Sequence, residues 1–408
     1  MGATPPAVMG KGRALALGAA AALLSPALLP LAALAAPPKA AAGGGAAVVA
    51  PVPTYQMEAL TTTGMGAVPM GAGNLMRMML GGAPSMGTTT SRTLELRLDS
   101  PRVVANPTAE HRIPAGLGMG ASLPLESTTF EKGEPPSVKD AELMEGKGRM
   151  LLFRGCAESA GADQPEIVSL RGWSAEQRRQ ALAGLKALGT LPGTVDASGT
   201  SGRWPPTTES PPIPQRGSLV GSHAVVSTYA PEIRFEVGPS HDFLAPVALR
   251  IETVAGGARR LSWQPVPTAL GYQATATGAG TEEGDIVMWT SSEAPQNDSW
   301  VPNDLRAAQA ARLVQRRVLL GPERTSCSIS AQALAAMRAG AMVTLTAYGD
   351  SLLRSGAQGQ PAWRLSLERR ASATLPVGEG METLMRGGGA GEPQEPPKRR
   401  GFNPLRLF

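Results

Sequence analysis

The chain has 408 residues, of which 42% are hydrophobic but only 4% aromatic, so its cores must be built from Leu, Val, Ile, Ala and Met. Its formal charge is +5, and +3 once Lys11 and Arg13 of the acid-free first 35 residues are set aside; that excludes the strong electrostatic claim on nucleic acid that a basic binding domain makes. Neither Cys lies in a C-x-x-C pair and no two of the three His stand at i, i+4 spacing, which argues against a resident metal centre or other cofactor.

Taken in chain order, the first element is an export signal. Lys11 and Arg13 supply a basic start, residues 14–35 hold no charge, and Ala33-Leu34-Ala35 offers the small-x-small pattern that a signal peptidase accepts. A signal peptide over 1–35 implies a periplasmic or secreted protein of bacterial type. An uncleaved anchor is the alternative, and the only route by which this reading brings the chain to a membrane. Pro26 and Pro30 interrupt the apolar run and speak for cleavage. Residues 36–53, rich in Ala, Pro and Gly, read as a linker.

Residues 54–240 read as a β-rich domain. Tyr55 to Thr62 starts a strand, and Leu94, Leu96 and Leu98 alternate with Glu95 and Arg97 as a half-buried strand does. Between them lies a Met-rich segment. Met70, Met76, Met78 and Met79 are thioethers of the kind that suit Cu(I), or a flexible apolar surface. Leu123 with Leu125, residues 149–156 and residues 165–171 are further strands. One helix, 174–188, has Ser174 and Gln177 as a capping box and Ala181, Leu182, Leu185 and Leu188 as its apolar stripe. A Pro-rich surface excursion is predicted over 189–217, then strands over 218–229 and 232–237. Glu232, Glu236, Asp242 and Glu252 read as ordinary polar faces of strands, and His111, His223 and His241 as surface or hydrogen-bonded structural residues.

Residues 241–376 read as short strands separated by turn signals: 247–254, a Gly256-Gly257 turn, Arg260 to Pro265, Ala269 to Ala274, 285–292, 325–330, 341–348 and 363–374. A strand with an inward Trp263, a turn with Pro265 and a strand with an inward Tyr272 make a β-sandwich core pattern. On Leu261-Ser262-Trp263, Pro265 and Gly271-Tyr272 this third of the chain resembles a fibronectin type III domain. The resemblance implies an immunoglobulin-like sandwich in which Trp263 and Tyr272 pack between the sheets. Ala341 and Met342 stand where that family carries a Tyr, and the stretch 302–320 is longer and more helical than the family expects. That inserted helix is predicted with Asn303 or Asp304 as its cap and Ala307, Ala311, Val314 and Val318 on one face. Arg306, Arg312, Arg316 and Arg317 make the rest a solvated basic face or an anion- or partner-binding surface. Residues 377–408 read as a disordered tail.

Cys156 and Cys327 are 171 residues apart, so a disulfide between them would join distant parts of the fold, worth about 4–5 kcal/mol at most by loop entropy. Two separate buried thiols are the other reading. The expectation is therefore a mainly β protein of two β-rich domains, the second an immunoglobulin-like sandwich with an inserted helix. Its predicted role is exported, non-enzymatic binding or scaffolding, with a protein or glycan of the cell envelope as partner and no nucleic acid. The alternatives are a carboxylate-dependent hydrolase of envelope glycans and Met-based copper handling.

Overall fold

The computed structural model describes residues 52–67, 90–131, 148–169, 198–206, 211–295, 301, 305–338, 340–356 and 361–378. The predicted signal peptide, the Met cluster, the 174–188 helix and all of the predicted tail after residue 378 lie outside these residues. The protein is mainly β. Its strands are β1 (Thr54–Gly64), β2 (Thr90–Ser100), β3 (Ala109–Arg112), β4 (Ser122–Phe130), β5 (Arg149–Arg154), β6 (Glu166–Ser169), β7 (Gly199–Trp204), β8 (Gly221–Ser227) and β9 (Ile233–Val237). There follow β10 (Arg250–Thr253), β11 (Arg259–Ser262), β12 (Ala269–Ala279), β13 (Ile286–Thr290), helix α1 (Ala307–Gln315), β14 (Ser326–Ile329), helix α2 (Ala331–Ala336), β15 (Ala341–Gly349), β16 (Leu352–Ser355) and β17 (Arg364–Val377).

Among the described residues, one mixed sheet runs β6-β5-β13-β12-β15-β17-β1-β2-β7-β4-β3-β8-β9, with β16 paired to β17, and a second sheet runs β10-β11-β14. The first strand and the last lie side by side: β1 pairs parallel with β17 from Thr54↔Arg364 to Gly64↔Thr374. The large sheet is thus closed through its middle by the two ends of the described chain.

Two hydrophobic cores sit on this sheet. The first gathers Tyr55, Met57, Leu94, Leu96 and Leu98 of β1 and β2 against Val225, Ile233 and Phe235 of β8 and β9. This is possible because β4 bends the sheet back on itself, its residues 126–130 pairing with β7 and its residues 122–125 with β3. The second core packs Leu261, Cys327 and Ile329 of the small sheet on Tyr272, Ala274, Val343 and Leu345 of the large one. The chain crosses from one core to the other between Phe243, which belongs to the first, and Leu244, which belongs to the second. Two excursions trade sides. Phe153 of β5 packs into the second core, while Leu352 of β16 and Leu365 and Leu367 of β17 pack into the first.

The crossing is pinned by polar groups. Arg369, 2% exposed, donates through Nη1 to the Asp242 carbonyl and through Nε and Nη2 to the Asp350 carbonyl. Asp242 is not on the polar face of a strand, as the sequence suggests: it follows the 3-10 turn Pro239–His241, and its carboxylate accepts from Leu219 N, Phe243 N and the Ser218 hydroxyl. Thr61 of β1 donates to the Leu244 carbonyl at 2.8 Å, so the crossing is tied to the centre of the sheet.

Several elements differ from the sequence reading. The predicted excursion 189–217 contains β7, an interior strand paired to both β2 and β4, and Ile213 in it is buried. Its Gly199 and Gly202 hid it: Gly is poor strand former, but a Cβ at Gly202 would collide with the Tyr229 hydroxyl, so close packing demands Gly here. The strand predicted over 247–254 shortens to β10. In α1 the buried residue is Ala310, with Leu313 and Val314 packed beside it, whereas Ala307 and Ala311 are exposed. The predicted caps Asn303 and Asp304 lie outside the described residues. Arg306 precedes the helix, and Asp350 accepts from Ala307 N at its start.

Candidate binding cleft

Strict alternation along β1 and β2 creates both faces of the central sheet. Tyr55, Met57 and Ala59 point into the first core with Leu94, Leu96 and Leu98, which leaves Gln56 and Glu58 of β1 with Glu95 and Arg97 of β2 on the outside. A cleft of about 480 Å³ lies over this outer face, lined by Gln56, Glu58, Glu95, Arg97 and Arg203, with Trp204, Pro205 and Pro206 as its wall. That volume is within the ordinary range for small-ligand sites, about 300–1,000 Å³.

Strand register sorts the charges into rows. Glu58 stands opposite Glu95 on one side and Glu368 on the other. Two residues along, Arg97 stands opposite Arg203. Glu58 is paired with Arg370 at 2.6 Å, and Arg97 with Asp99 at 2.7 Å. Among the described residues, the side chains of Glu95 and Arg203 have no hydrogen-bond or ion-pair partner, although Glu126 of β4 stands opposite Arg203 in register. Among the described residues, the cleft therefore presents one carboxylate and one guanidinium that no counter-ion holds.

Directly beneath, on the inner face, Tyr55 begins a buried polar chain that the sequence reading missed as a unit. The Tyr55 hydroxyl meets His111 Nδ1 at 2.9 Å, His111 Nε2 meets His223 Nδ1 at 2.9 Å, and His223 Nε2 meets the Leu219 carbonyl at 2.7 Å. The carbonyl can only accept, which fixes every proton: His223 Nε2–H donates to Leu219, His111 Nε2–H donates to His223, and Tyr55 O–H donates to His111. Phe235 stacks on His223 with centroids 4.9 Å apart. Burial, and after it the neighbouring His223, hold His111 well below the ordinary imidazole value. Burial lowers His223 too, against the Leu219 hydrogen bond and Glu236. Burial raises Tyr55 well above the usual phenol value. Both imidazoles are neutral, satisfied members of the core. The sequence signal was only that His111 and His223 sit at inward positions of short strands.

The other residues singled out from the sequence fall elsewhere. Cys156 and Cys327 form a disulfide with Cα atoms 4.8 Å apart, tying the end of β5 to β14. Arg306 and Arg312 are exposed on α1, Arg316 ends the helix, and Arg317, beyond it, pairs with Glu293 at 2.9 Å. Met70, Met76, Met78 and Met79 lie outside the described residues. Among the described residues no three His, Cys, Asp or Glu are grouped to hold a metal. No described helix is long and apolar enough to cross a membrane. A smaller cavity of about 160 Å³ lies between β5, β12 and β13, lined by Phe153, Met288 and Trp289. Comparison of the chain with protein-family models, with curated proteins and with solved structures returned no match.

Proposed function

We propose that the chain is an exported, non-enzymatic binding or scaffolding protein of the bacterial periplasm or cell surface, and that the cleft over β1, β2 and β7 is its binding face. The observation that carries this is a ligand-sized cleft lined by a carboxylate, Glu95, and a guanidinium, Arg203, whose side chains have no partner among the described residues. Such groups hold a ligand by charge-assisted hydrogen bonds and need no further chemistry. Export draws support from the Cys156–Cys327 bridge, since disulfides persist in oxidising compartments. Residues 241–376 we take as a fibronectin type III-like module. In support of this, the small sheet β10-β11-β14 faces β13-β12-β15-β17, and the Trp263 and Tyr272 rings pack 5.4 Å apart between them.

A carboxylate-dependent hydrolase remains the second reading, favoured by Glu58 and Glu95 lining one cleft. They stand side by side in register, and Glu58 is held by Arg370, an arrangement better suited to grip than to attack across a scissile bond. The test is twofold. The N-terminus of protein recovered from the envelope should be Ala36, and soluble envelope glycopeptide should bind saturably and intact, with binding lost in R203Q. An N-terminus at Met1 or Gly2 would refute cleavage after Ala35 and leave the uncleaved anchor. Glycopeptide cleavage that E95Q abolishes would replace binding with hydrolysis.

A further inference from the structure

We infer that the cleft takes a short zwitterionic ligand, a peptide with free amino and carboxyl ends, its amine on Glu95 and its carboxylate on Arg203; this rests on the cleft being the binding face. The first support is the sorting of charge. Alternating signs across β17, β1, β2 and β7 would give cross-strand ion pairs. The sequence instead sets Glu58 between Glu95 and Glu368, and Arg97 opposite Arg203. Like charges directly opposite one another are destabilising; Arg370 relieves Glu58, Asp99 relieves Arg97 and Glu126 of β4 stands opposite Arg203, which leaves Glu95 as the charge whose cost no counter-ion among the described residues offsets. Function is the usual reason for such a cost.

The second support is that the two free groups do not find each other. Leu96 pairs with Trp204, so Glu95 and Arg203 are diagonal neighbours across β2 and β7, about 7–8 Å apart at Cα. Side chains of this length can bridge that gap, yet Glu95 and Arg203 both line the cleft without forming an ion pair with each other. Arg97 and Glu58, their neighbours, are each occupied by a partner of opposite sign. What remains is one anionic and one cationic contact, two residues apart along the strand direction, or about 7 Å.

The third support is length. An extended chain spans about 3.3–3.6 Å per residue, so the terminal charges of a dipeptide or tripeptide lie roughly 7–10 Å apart, which matches the row spacing. The forked donors of Arg203 suit a planar carboxylate, and Gln56 offers an amide to the peptide backbone between. Pro205 and Pro206 close one side.

The experiment is an equilibrium titration of the disulfide-intact mature protein with Ala-Ala-Ala, with its N-acetylated form, with its C-terminally amidated form, and with an N-acetylglucosamine tetramer. The free tripeptide should bind saturably, and each blocked form should bind at least tenfold more weakly. In E95Q the penalty for acetylation should vanish while that for amidation stays; in R203Q the reverse should hold. Equal affinity of free and blocked tripeptide overturns the inference, as does an affinity unchanged in both variants. If the tetramer binds, R203Q weakens it and the tripeptide does not bind, the zwitterion inference falls while the cleft stands as a binding face. If no probe binds, both fall.

Discussion

The first core buries Tyr55, His111 and His223 in one directional hydrogen-bond chain, whereas the second buries Trp263 and Tyr272 and is crossed by the Cys156–Cys327 bridge. Both rest on the same sheet, and β17 contributes Leu365 and Leu367 to one and Ala371 and Ala373 to the other. One core is held in place by polar specificity in its interior, the other by a covalent tie to a hairpin from elsewhere in the sequence. The difference teaches that a continuous sheet need not be uniform in what destabilises it. Acid should loosen the first core, and reductant the second.

The largest effect is expected for His223→Ala. It strands the His111 Nε2–H and the Leu219 carbonyl in the core and leaves a cavity, at a cost of about 3–5 kcal/mol. Chemical denaturation would measure it, and a loss below about 1 kcal/mol would show that the chain is incidental. Reduction of the Cys156–Cys327 bridge should cost about 2–5 kcal/mol. Hydrogen exchange should rise first in β5, β6 and β14, while β3, β8 and β9 stay protected. Equal loosening of both cores would break the comparison.

Acid should act the other way round. His111 and His223 are held below the usual imidazole value of about 6.5, so the unfolded chain binds protons that the folded chain refuses. Their contribution to stability is complete above pH 6.5 and is lost as the pH falls below it, by up to about 1.4 kcal/mol per unit for each imidazole. His241 is also lowered, chiefly by burial, and adds in the same direction. In H111L/H223L the slope between pH 7 and pH 5 should shrink to what His241 supplies, and an unchanged slope would contradict the assignment. The smallest effect belongs to the cleft. Glu95→Lys should stabilise the fold by about 0.2–1 kcal/mol, because it removes the like-charge contact with Glu58. A destabilised variant would mean the charge rows carry no cost.

Much of this architecture is legible in the sequence where periodicity is strong. Leu94, Leu96 and Leu98 alternate cleanly and are all buried. The Trp263 and Tyr272 strands stand next to each other in chain order as well as in the core. Local pattern does not reveal what depends on long-range pairing. Nothing in Gly199–Trp204 marks an interior strand until β2 and β4 flank it. Nor does the spacing of His111 and His223 reveal that β3 and β8 pair antiparallel, which brings the two rings together. The cleft was half visible. Glu95 and Arg97 mark an outward face on their own strand, but Arg203 joins them only through the pairing of β7. The carboxylates that line it, Glu58 and Glu95, carry no mark of their own in the sequence, where Glu232, Glu236, Asp242 and Glu252 look equally like polar strand faces.

The most direct test of the account is hydrogen–deuterium exchange mass spectrometry of the mature, disulfide-intact protein with and without saturating soluble envelope glycopeptide. Protection is predicted over Gln56–Glu58, Glu95–Arg97 and Arg203–Pro206, with α1 and its Arg306 and Arg312 unchanged. Protection confined to α1 or to the loops of the second core, or protection nowhere, would contradict it.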